Sequence, residues 1–408
     1  MGGLSSWWIG LGLQSVIIPF LITHDLVSQG YLVEQSEMLG IVQMCTMLPA
    51  FLLILHAGIT ADRIDCRNIA IRLHLLALLP SLAIGLMVQL HRLEFAAIII
   101  YALSMSVLSA YNIPSRDALL HRITSGDIRR EISLATTVQF VSQVGGFLIA
   151  GAASYLEAHG VLEILFYSQS VVMLVGVFFM RRISPLPTNA KNKSQRTPML
   201  QSLKEGFDVV RKSAPMRLVS LLNILVGLIF MGGLLVPMPL IVTGIYDGGS
   251  SGISIAITAF YAGVVIASII LSKMKQIQNI GLILVTVMAL GSGAMLMITF
   301  NIPYSIFVLL ILGWGMAVGF VFTLGRMVIQ EMAPKELQAR ALSIYQLGIT
   351  GGAPLGAISL GYLAHQLGPL EVLYVPALLL LIILLIACGT TNLLYITIGK
   401  KEEEQEAR

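Results

Sequence analysis

The placement of basic residues along this 408-residue chain constrains its fold more than any other feature. Twelve apolar stretches, each about 20 residues long and so long enough to cross a bilayer, alternate with polar connections. Of the 25 Lys and Arg residues, 24 fall on or beside every second connection, and only Arg92 falls on the other set. Because basic residues are retained on the cytoplasmic side during insertion, this asymmetry predicts twelve membrane spans with both termini in the cytoplasm.

Composition agrees with a membrane location. Hydrophobic residues make up 56% of the chain and charged residues 11%, far from the balance of a soluble domain. We therefore expect an all-α polytopic protein in the cytoplasmic (inner) membrane, monomeric, with the lipid bilayer as its surroundings. The net charge of +4 belongs to the cytoplasmic connections, so no nucleic-acid partner is predicted. Cys45, Cys66 and Cys388 lack the spacing of a disulfide framework or zinc site, and no metal or cofactor is predicted.

One long connection divides the twelve spans into two groups of six. Sliding the sequence by 210 residues superposes Arg116 on Arg326 and Gly151 on Gly361 at matching places in the two halves. This weak repeat predicts two parallel six-helix bundles, with substrate bound between them near mid-membrane. The predicted domains are an N-terminal bundle over residues 1–180, a cytoplasmic linker over 181–215, a C-terminal bundle over 216–396 and a cytoplasmic tail over 397–408.

Within the linker, apolar residues recur at helical spacing opposite charged ones. Leu203, Phe207 and Val210 form the apolar side of this pattern. It predicts a short amphipathic helix that lies in the membrane interface. A solvated linker helix packed against the bundle is the alternative.

The connection after the second predicted span carries the pattern G-x-x-x-D-R-x-x-x-R, formed by Gly58, Asp62, Arg63 and Arg67. This pattern resembles the signature loop of the major facilitator superfamily. In that family the aspartate contacts the opposite half and an arginine on the fourth span, which latches one end state. The resemblance implies that Asp62 is the latch carboxylate and that Arg116, followed by Asp117, is its partner. A plain turn bearing cytoplasmic cations is the alternative. Ser272 occupies the equivalent position in the second half.

Three further passages narrow the resemblance. Residues 114–120, 325–340 and 352–361 resemble the enterobactin-exporter and macrolide-efflux branch of the superfamily, and the resemblance covers essentially the whole chain. It implies export of antibiotics, siderophores or other amphipathic metabolites. The branch does not indicate which of these is the substrate.

Polar residues inside predicted spans must find a partner or line a cavity, because the bilayer core offers no water. They concentrate on spans one, four, five, seven, eight and eleven, whereas spans six, nine and twelve are almost wholly apolar and are expected to face lipid. For any single amide an interhelical hydrogen bond is the alternative. The predicted substrate cavity is lined by Gln14, Asn112, Gln139, Gln143, Asn223, Trp314, Tyr345 and Gln346.

Glycines and one proline cluster inside the fifth and eleventh predicted spans. Small residues let helices approach closely and bend there, which indicates a gating role or close packing alone. Antiporters of the resembling family carry a Gly-Pro signature in the fifth span, where this chain has Gly-Gly-Phe. The predicted gating or packing residues are Gly145, Gly151, Gly352, Pro354, Gly356 and Gly361.

No charged residue lies clearly at the middle of a predicted span. His24 and Asp25, at the outer end of the first span, are the candidates for proton coupling because histidine titrates near neutral pH; an ordinary interface position is the alternative. The glycine-rich run at residues 247–252 lacks the lysine of a phosphate-binding loop and is interpreted as an outer connector. No catalytic set is present, so an enzyme is not expected.

These patterns together predict a secondary active transporter. It would export a small amphipathic molecule, such as a drug or siderophore, by alternating access coupled to protons. The same fold importing a solute or moving a lysolipid is the nearest alternative. A membrane sensor that does not transport is a third.

Overall fold

The computed structural model describes residues 2–25, 35–63, 65–123, 128–182, 199–274, 279–300, 302–335, 337–391 and 393–396. Within these ranges the chain forms helices and no strand. Eleven of the described helical segments are long and apolar enough to cross a membrane, where the hydropathy pattern predicted twelve spans. The polytopic all-α architecture is confirmed.

The first half contributes five of these eleven segments, and its predicted fifth span corresponds to a helix of 23 residues, part of whose side chains lies outside the described residues. At a rise of about 1.5 Å per residue this helix still reaches about 35 Å. Its polar residues include Gln139 and Gln143. The helices are α1 (Gly2–Phe20, continued by a π-helical turn over Leu21–Asp25), α2 (Gln35–Arg63), α3 (Cys66–Gln89), α4 (Phe95–Ile123), α5 (Ile128–Ala150), α6 (Ala153–Ala158) and α7 (Ile164–Arg181).

Helices α1 and α5 approach each other backbone to backbone. A Cβ atom on Gly146 would lie 2.8 Å from the Gly12 Cα, and one on Gly12 would lie 2.9 Å from the Gly146 Cα. Because no side chain fits between these backbones, both positions require glycine. At the neighbouring Gly145 a Cβ would meet nothing within 4 Å. The close approach in the fifth span therefore occurs at Gly146 and not at Gly145.

The second half begins with α8 (Met199–Lys212), which is too polar to be a span and leads directly into the next helix. The remaining helices are α9 (Ala214–Leu225, continued by a π-helical turn over Val226–Met231), α10 (Gly232–Leu235), α11 (Pro237–Gly244), α12 (Gly249–Lys273), α13 (Ile280–Ile298), α14 (Tyr304–Met332), α15 (Gln338–Leu367) and α16 (Tyr374–Thr390).

Glycines of α15 pack against the end of α9 and the π-helical turn that follows it. A Cβ on Gly352 would lie 2.7 Å from the Ile224 carbonyl oxygen, and one on Gly356 would lie 2.9 Å from the Leu228 Cα. Pro354 and Gly361 are buried in the same helix. Small residues thus allow two backbones to touch in this half as well.

Contacts divide the chain into two compact units. Unit 1 comprises Met1–Arg196 with Met238–Thr258, and unit 2 comprises Thr197–Pro237 with Ala259–Arg408. Helix α11 and the first part of α12 therefore group with the first half of the chain, although they follow the linker in sequence. The division into bundles at residues 180 and 216 stays a prediction.

Candidate functional site

The signature-loop residues lie at the end of unit 1 where α1 begins. Helix α2 continues through Gly58 to Arg63, so the expected tight turn is helical and only two residues join α2 to α3. Asp65 then caps α3, because its Oδ1 accepts a hydrogen bond from the Arg67 backbone N–H at 3.0 Å. The surroundings of Gly58 and the side chains of Asp62, Arg63 and Asp117 lie outside the described part of the chain.

Arg67 joins α3 to the end of α7. Its Nε donates to the Met180 carbonyl oxygen at 3.2 Å and its Nη2 to the Arg181 carbonyl oxygen at 2.9 Å. These are carbonyls of the last helical turn, which lack intrahelical partners and carry the negative end of the helix dipole. Arg67 therefore holds two helices of unit 1 together.

Arg116, the predicted latch cation on α4, contacts α1 and α5. Its guanidinium carbon lies 5.1 Å from the centroid of the Trp8 ring, within the range of a cation–π interaction. Its Nη1 donates to Gln139 Oε1 at 3.3 Å. The structure thus brings one predicted latch residue and one predicted cavity residue into a single group with Trp8, which the sequence analysis did not single out.

Helices α1 and α4, which carry Trp8 and Arg116, also bury polar atoms without partners among the described residues. Gln14 is 7% exposed and Asn112 is 2% exposed, yet among the described residues Gln14 Oε1, Asn112 Oδ1 and the Trp8 indole nitrogen have no hydrogen-bond partner. Asn112 precedes Arg116 by one turn of α4, and the buried Gln143 follows Gln139 by one turn of α5. A buried unpaired polar atom costs about 1–3 kcal/mol, so each of these atoms indicates a position where water or a ligand binds.

In unit 2 two of the predicted cavity residues, Asn223 and Tyr345, are hydrogen-bonded within the helix bundle. Asn223 donates from Nδ2 to the Tyr345 carbonyl oxygen at 2.7 Å, and the Tyr345 hydroxyl donates to the Val321 carbonyl oxygen at 3.1 Å. This chain of hydrogen bonds joins α9, α15 and α14. The Asn223 Nδ2 bond is the interhelical hydrogen bond given as the alternative, whereas Asn223 Oδ1, like Asn112 Oδ1, has no partner among the described residues.

The other two predicted cavity residues of unit 2, Trp314 and Gln346, differ in exposure. Trp314 is buried and packs edge to face against Phe230 and Phe260, with centroid distances of 5.9 and 6.3 Å. Its indole nitrogen has no partner among the described residues. Gln346 is exposed. Trp314 is therefore part of an aromatic cluster inside unit 2.

Two buried polar contacts in unit 1 were missed by the sequence analysis. Gln169 on α7 accepts from the Tyr101 hydroxyl at 2.8 Å and donates to the Gly10 carbonyl oxygen at 3.3 Å. The buried His74 ring lies 3.1 Å from the Ser6 Oγ. One face of α7, the sixth span, is buried around Gln169, and the opposite face carries exposed apolar residues such as Val171 and Phe178, as expected of a helix that faces lipid. The single amide in an otherwise apolar span was the signal for this.

At the opposite end of unit 1, two helix N-termini cap each other. The Ser154 Oγ accepts from the Ser250 N–H and the Ser250 Oγ accepts from the Ser154 N–H, each at 2.8 Å. The Ser250 Oγ lies 2.9 Å from the Gly151 carbonyl oxygen, to which it donates. N–H groups in the first turn of a helix have no intrahelical partner. The Ser154 side chain accepts from such a group of α12, and the Ser250 side chain accepts from one of α6. The run at residues 247–252, interpreted as a connector, thus supplies a structural contact.

One turn further along α12, a second serine hydroxyl donates to a backbone carbonyl oxygen of unit 1. The Ser254 Oγ donates to the Phe147 carbonyl oxygen at 2.7 Å. A Cβ on Gly151, a predicted gating or packing residue, would lie 3.1 Å from the Ser254 side chain. Gly151 therefore sits where α5 and α12 pack tightly.

His24 lies at this same end of unit 1. Its Nδ1 is 3.1 Å from Glu157 Oε1, and its ring stacks on Phe20 at a centroid distance of 5.4 Å. The His24 side chain is largely exposed to solvent. The pair is an ion pair when His24 is protonated. The Asp25 side chain lies outside the described residues.

No cluster of three or more metal-binding side chains occurs among the described residues. No disulfide joins Cys45, Cys66 and Cys388 in the described part of the chain. Cys66 packs with Ala70, Leu119 and Met180 near Arg67. The described part of the chain therefore offers packing positions, and no metal centre, at its cysteines.

Comparison with known proteins supports a transport function. Residues 9–398 match the family model described as transmembrane secretion effector. The staphyloferrin A transporter of Staphylococcus aureus (strain NCTC 8325 / PS 47) is 24% identical over 341 residues, which cover 81% of each chain. The structure resembles the inward-open xylose transporter XylE of E. coli, with a TM-score of 0.71 and 12% identity over 100% of this chain and 98% of that one.

A peptide-complexed transporter of the POT family is similar to the same degree. Its TM-score is 0.72 at 13% identity, with 95% of this chain and 94% of that chain covered. At such low identities the structural matches establish the fold alone, and the enterobactin-exporter and macrolide-efflux branch stays a prediction. The family match covers nearly the whole chain and names a group of transporters, which are not enzymes. The chain therefore belongs to the transmembrane secretion effector family of major facilitator transporters.

Proposed function

We propose that this transporter exports a small amphipathic molecule by alternating access. The observation that carries the proposal is that Gln14 and Trp8 on α1 and Asn112 on α4 each bury a polar atom without a partner among the described residues, in a chain of this family. Each is a hydrogen-bonding atom without a protein partner among the described residues, so a substrate that supplies the missing bond would recover the cost of burying it.

The chemistry of this group suits an amphipathic molecule. Trp8 offers an aromatic face, Arg116 a cation, and the amides of Gln139 and Gln143 both donors and acceptors. An apolar wall with a few polar groups is the usual composition of a small-molecule site. The siderophore transporter among the relatives makes a siderophore one candidate substrate.

Contacts at the two ends of unit 1 support the alternating-access part of the proposal. On the charge asymmetry we assign the end with Arg67 and Arg116 to the cytoplasm and the end with Ser154 and Ser250 to the outside. The reciprocal serine contact would hold the outer end closed. Asp62 with Arg116 would hold the cytoplasmic end closed in the other state. A contact of 1–3 kcal/mol is enough to bias such an equilibrium about 5- to 150-fold.

Proton coupling through His24 is part of the same proposal. The His24–Glu157 pair lies at the assigned outer end, where it would take up protons from the outside. His24→Gln should then remove the dependence of transport on outside pH and leave substrate binding unchanged. Transport that keeps its full pH dependence in this variant would exclude His24 as the coupling group.

Everted membrane vesicles test the direction and the substrate class. We expect vesicles that contain the transporter to accumulate a siderophore or macrolide from a panel when a proton gradient is imposed, and to lose this accumulation with an uncoupler. The Asn112→Leu variant should lose the accumulation, whereas Gln366→Leu, which removes an exposed amide near the end of α15, should retain it. Uptake by right-side-out vesicles alone would instead show import.

A further inference from the structure

Helix α8 is held at the level where two membrane spans begin. Its last residue is separated by one residue from the span Ala214–Gly244, and Glu205 forms an ion pair with Arg340, the first residue of the span Arg340–Leu367. Arg217 adds a third attachment, because its Nη1 donates to the Arg211 carbonyl oxygen at 3.0 Å. Because spans begin at the edge of the hydrocarbon core, α8 lies beside the lipid headgroups.

The two sides of α8 differ in burial. Val210 and Gly206 face inward, and a Cβ on Gly206 would lie 2.8 Å from the Arg340 carbonyl oxygen, so this side is packed against α15. Phe207 is 54% exposed although it belongs to no span. A large aromatic side chain that stays in contact with water lacks the favourable free energy that burial would provide. The exposed phenyl ring therefore needs an apolar environment that the described part of the chain does not supply.

The residues beside Phe207 carry positive charge. Lys204 and Arg211 lie three residues before and four residues after it, so all three share one exposed flank of the helix, here called the basic flank. Lys212 and Arg217 are exposed nearby. The carboxylates on α8 are Asp208 and Glu205, and Glu205 is paired with Arg340. The flank thus presents an aromatic ring between two cations.

We propose that the basic flank of α8 binds anionic phospholipid. The phenyl ring of Phe207 enters the boundary between headgroups and acyl chains, and Lys204 and Arg211 contact the headgroup phosphates. This combination of apolar insertion and cation–phosphate attraction is how amphipathic helices bind to charged membrane surfaces. The Glu205–Arg340 pair links the bound helix to the first turn of α15, so lipid charge acts on a helix of the transport bundle. The inference holds for any transported substrate.

Hydrogen–deuterium exchange on the full-length protein tests this proposal without a substrate. The protein is placed in nanodiscs of phosphatidylcholine alone and in nanodiscs with an equal share of phosphatidylglycerol. We expect the amides of α8 to exchange more slowly with phosphatidylglycerol, by up to about 30-fold, since two cations near an anionic surface contribute about 1 kcal/mol each. The double variant Lys204→Gln with Arg211→Gln should exchange at the phosphatidylcholine rate in both.

Matched variants distinguish lipid binding by the basic flank from attraction of the lipid by the overall charge of the protein. Lys273→Gln with Lys335→Gln removes two exposed cations outside α8 and should keep the lipid effect. Phe207→Ser should weaken the effect and Phe207→Trp should preserve it. A melting midpoint in detergent within error of the parent shows that each variant is folded.

Three results would overturn the proposal. Equal protection in the two lipids would mean that another part of the chain covers the flank. Protection in phosphatidylcholine nanodiscs on adding soluble glycerol phosphate would assign the site to a free anion. Loss of the lipid effect in the control pair as well would show that overall charge, and not α8, attracts the lipid.

Discussion

Replacing Gln14 by methionine is expected to stabilise the protein and to weaken transport. Gln14 is 7% exposed and its Oε1 has no partner among the described residues, so the folded state bears the cost of an unpaired carbonyl. Methionine is unbranched and similar in volume, so little cavity or strain is introduced. Removing the unpaired oxygen should therefore raise the free energy of unfolding by about 1–3 kcal/mol.

The same substitution at Gln169 provides the matched control. The Gln169 amide is also buried, but it accepts from the Tyr101 hydroxyl at 2.8 Å and donates to the Gly10 carbonyl oxygen at 3.3 Å. Gln169→Met removes both bonds and leaves a buried hydroxyl without this acceptor. We expect it to lower the free energy of unfolding by about 1–3 kcal/mol.

Unfolding and transport are measured on both variants. Stability is followed by denaturant titration or melting in detergent, and transport by accumulation in everted vesicles corrected for the amount of folded protein. Gln14→Met should reduce apparent substrate affinity about tenfold, the value of one hydrogen bond of about 1.4 kcal/mol. Gln169→Met should leave affinity unchanged. If Gln14→Met destabilises the protein as much as Gln169→Met, Oε1 is paired and the reasoning fails.

Three further predictions concern helix contacts. Gly146→Ala should destabilise the protein because its Cβ would strike the α1 backbone, whereas Gly145→Ala, with open space, should be neutral or stabilise by up to about 1 kcal/mol in a melting assay. Ser154→Ala and Ser250→Ala should each cost about 0.5–2 kcal/mol, and the double variant less than their sum, because each serine caps the other's helix; additive costs in a double-mutant cycle would exclude reciprocal capping. Arg67→Gln should lower stability by about 1–2 kcal/mol through loss of its bonds to the end of α7, and unchanged denaturant midpoints would contradict this.

Features that depend on neighbouring residues could be predicted from the sequence, whereas features that depend on contacts between distant residues could not. Hydropathy is summed over about 20 neighbouring residues, so the position of a span is a local property that the sequence carries. Helices α3, α4 and α7 accordingly contain apolar segments long enough to cross a membrane. The predicted fifth span likewise corresponds to a helix, α5 at Ile128–Ala150, part of whose side chains lies outside the described residues.

Assignments of single side chains depended on more distant parts of the chain. Gln14 and Gln169 are alike in sequence terms, as amides in apolar helices, yet one is unpaired and the other is bonded to residues 68 and 159 positions away. Gly145 and Gly146 are neighbours, and only the rotation of α5 against α1 decides which of them touches the opposite backbone.

The amino-acid sequence by itself determined that this chain is a helical membrane protein of the major facilitator type, because hydrophobic length, charge asymmetry and the signature loop are all read from neighbouring residues. Only the tertiary structure decided which buried amides lack partners, which glycine allows α1 and α5 to meet, and that Ser154 and Ser250 cap each other. Each of these depends on the rotation and depth at which two helices pack, and a hydrogen bond tolerates errors of only a few tenths of an ångström.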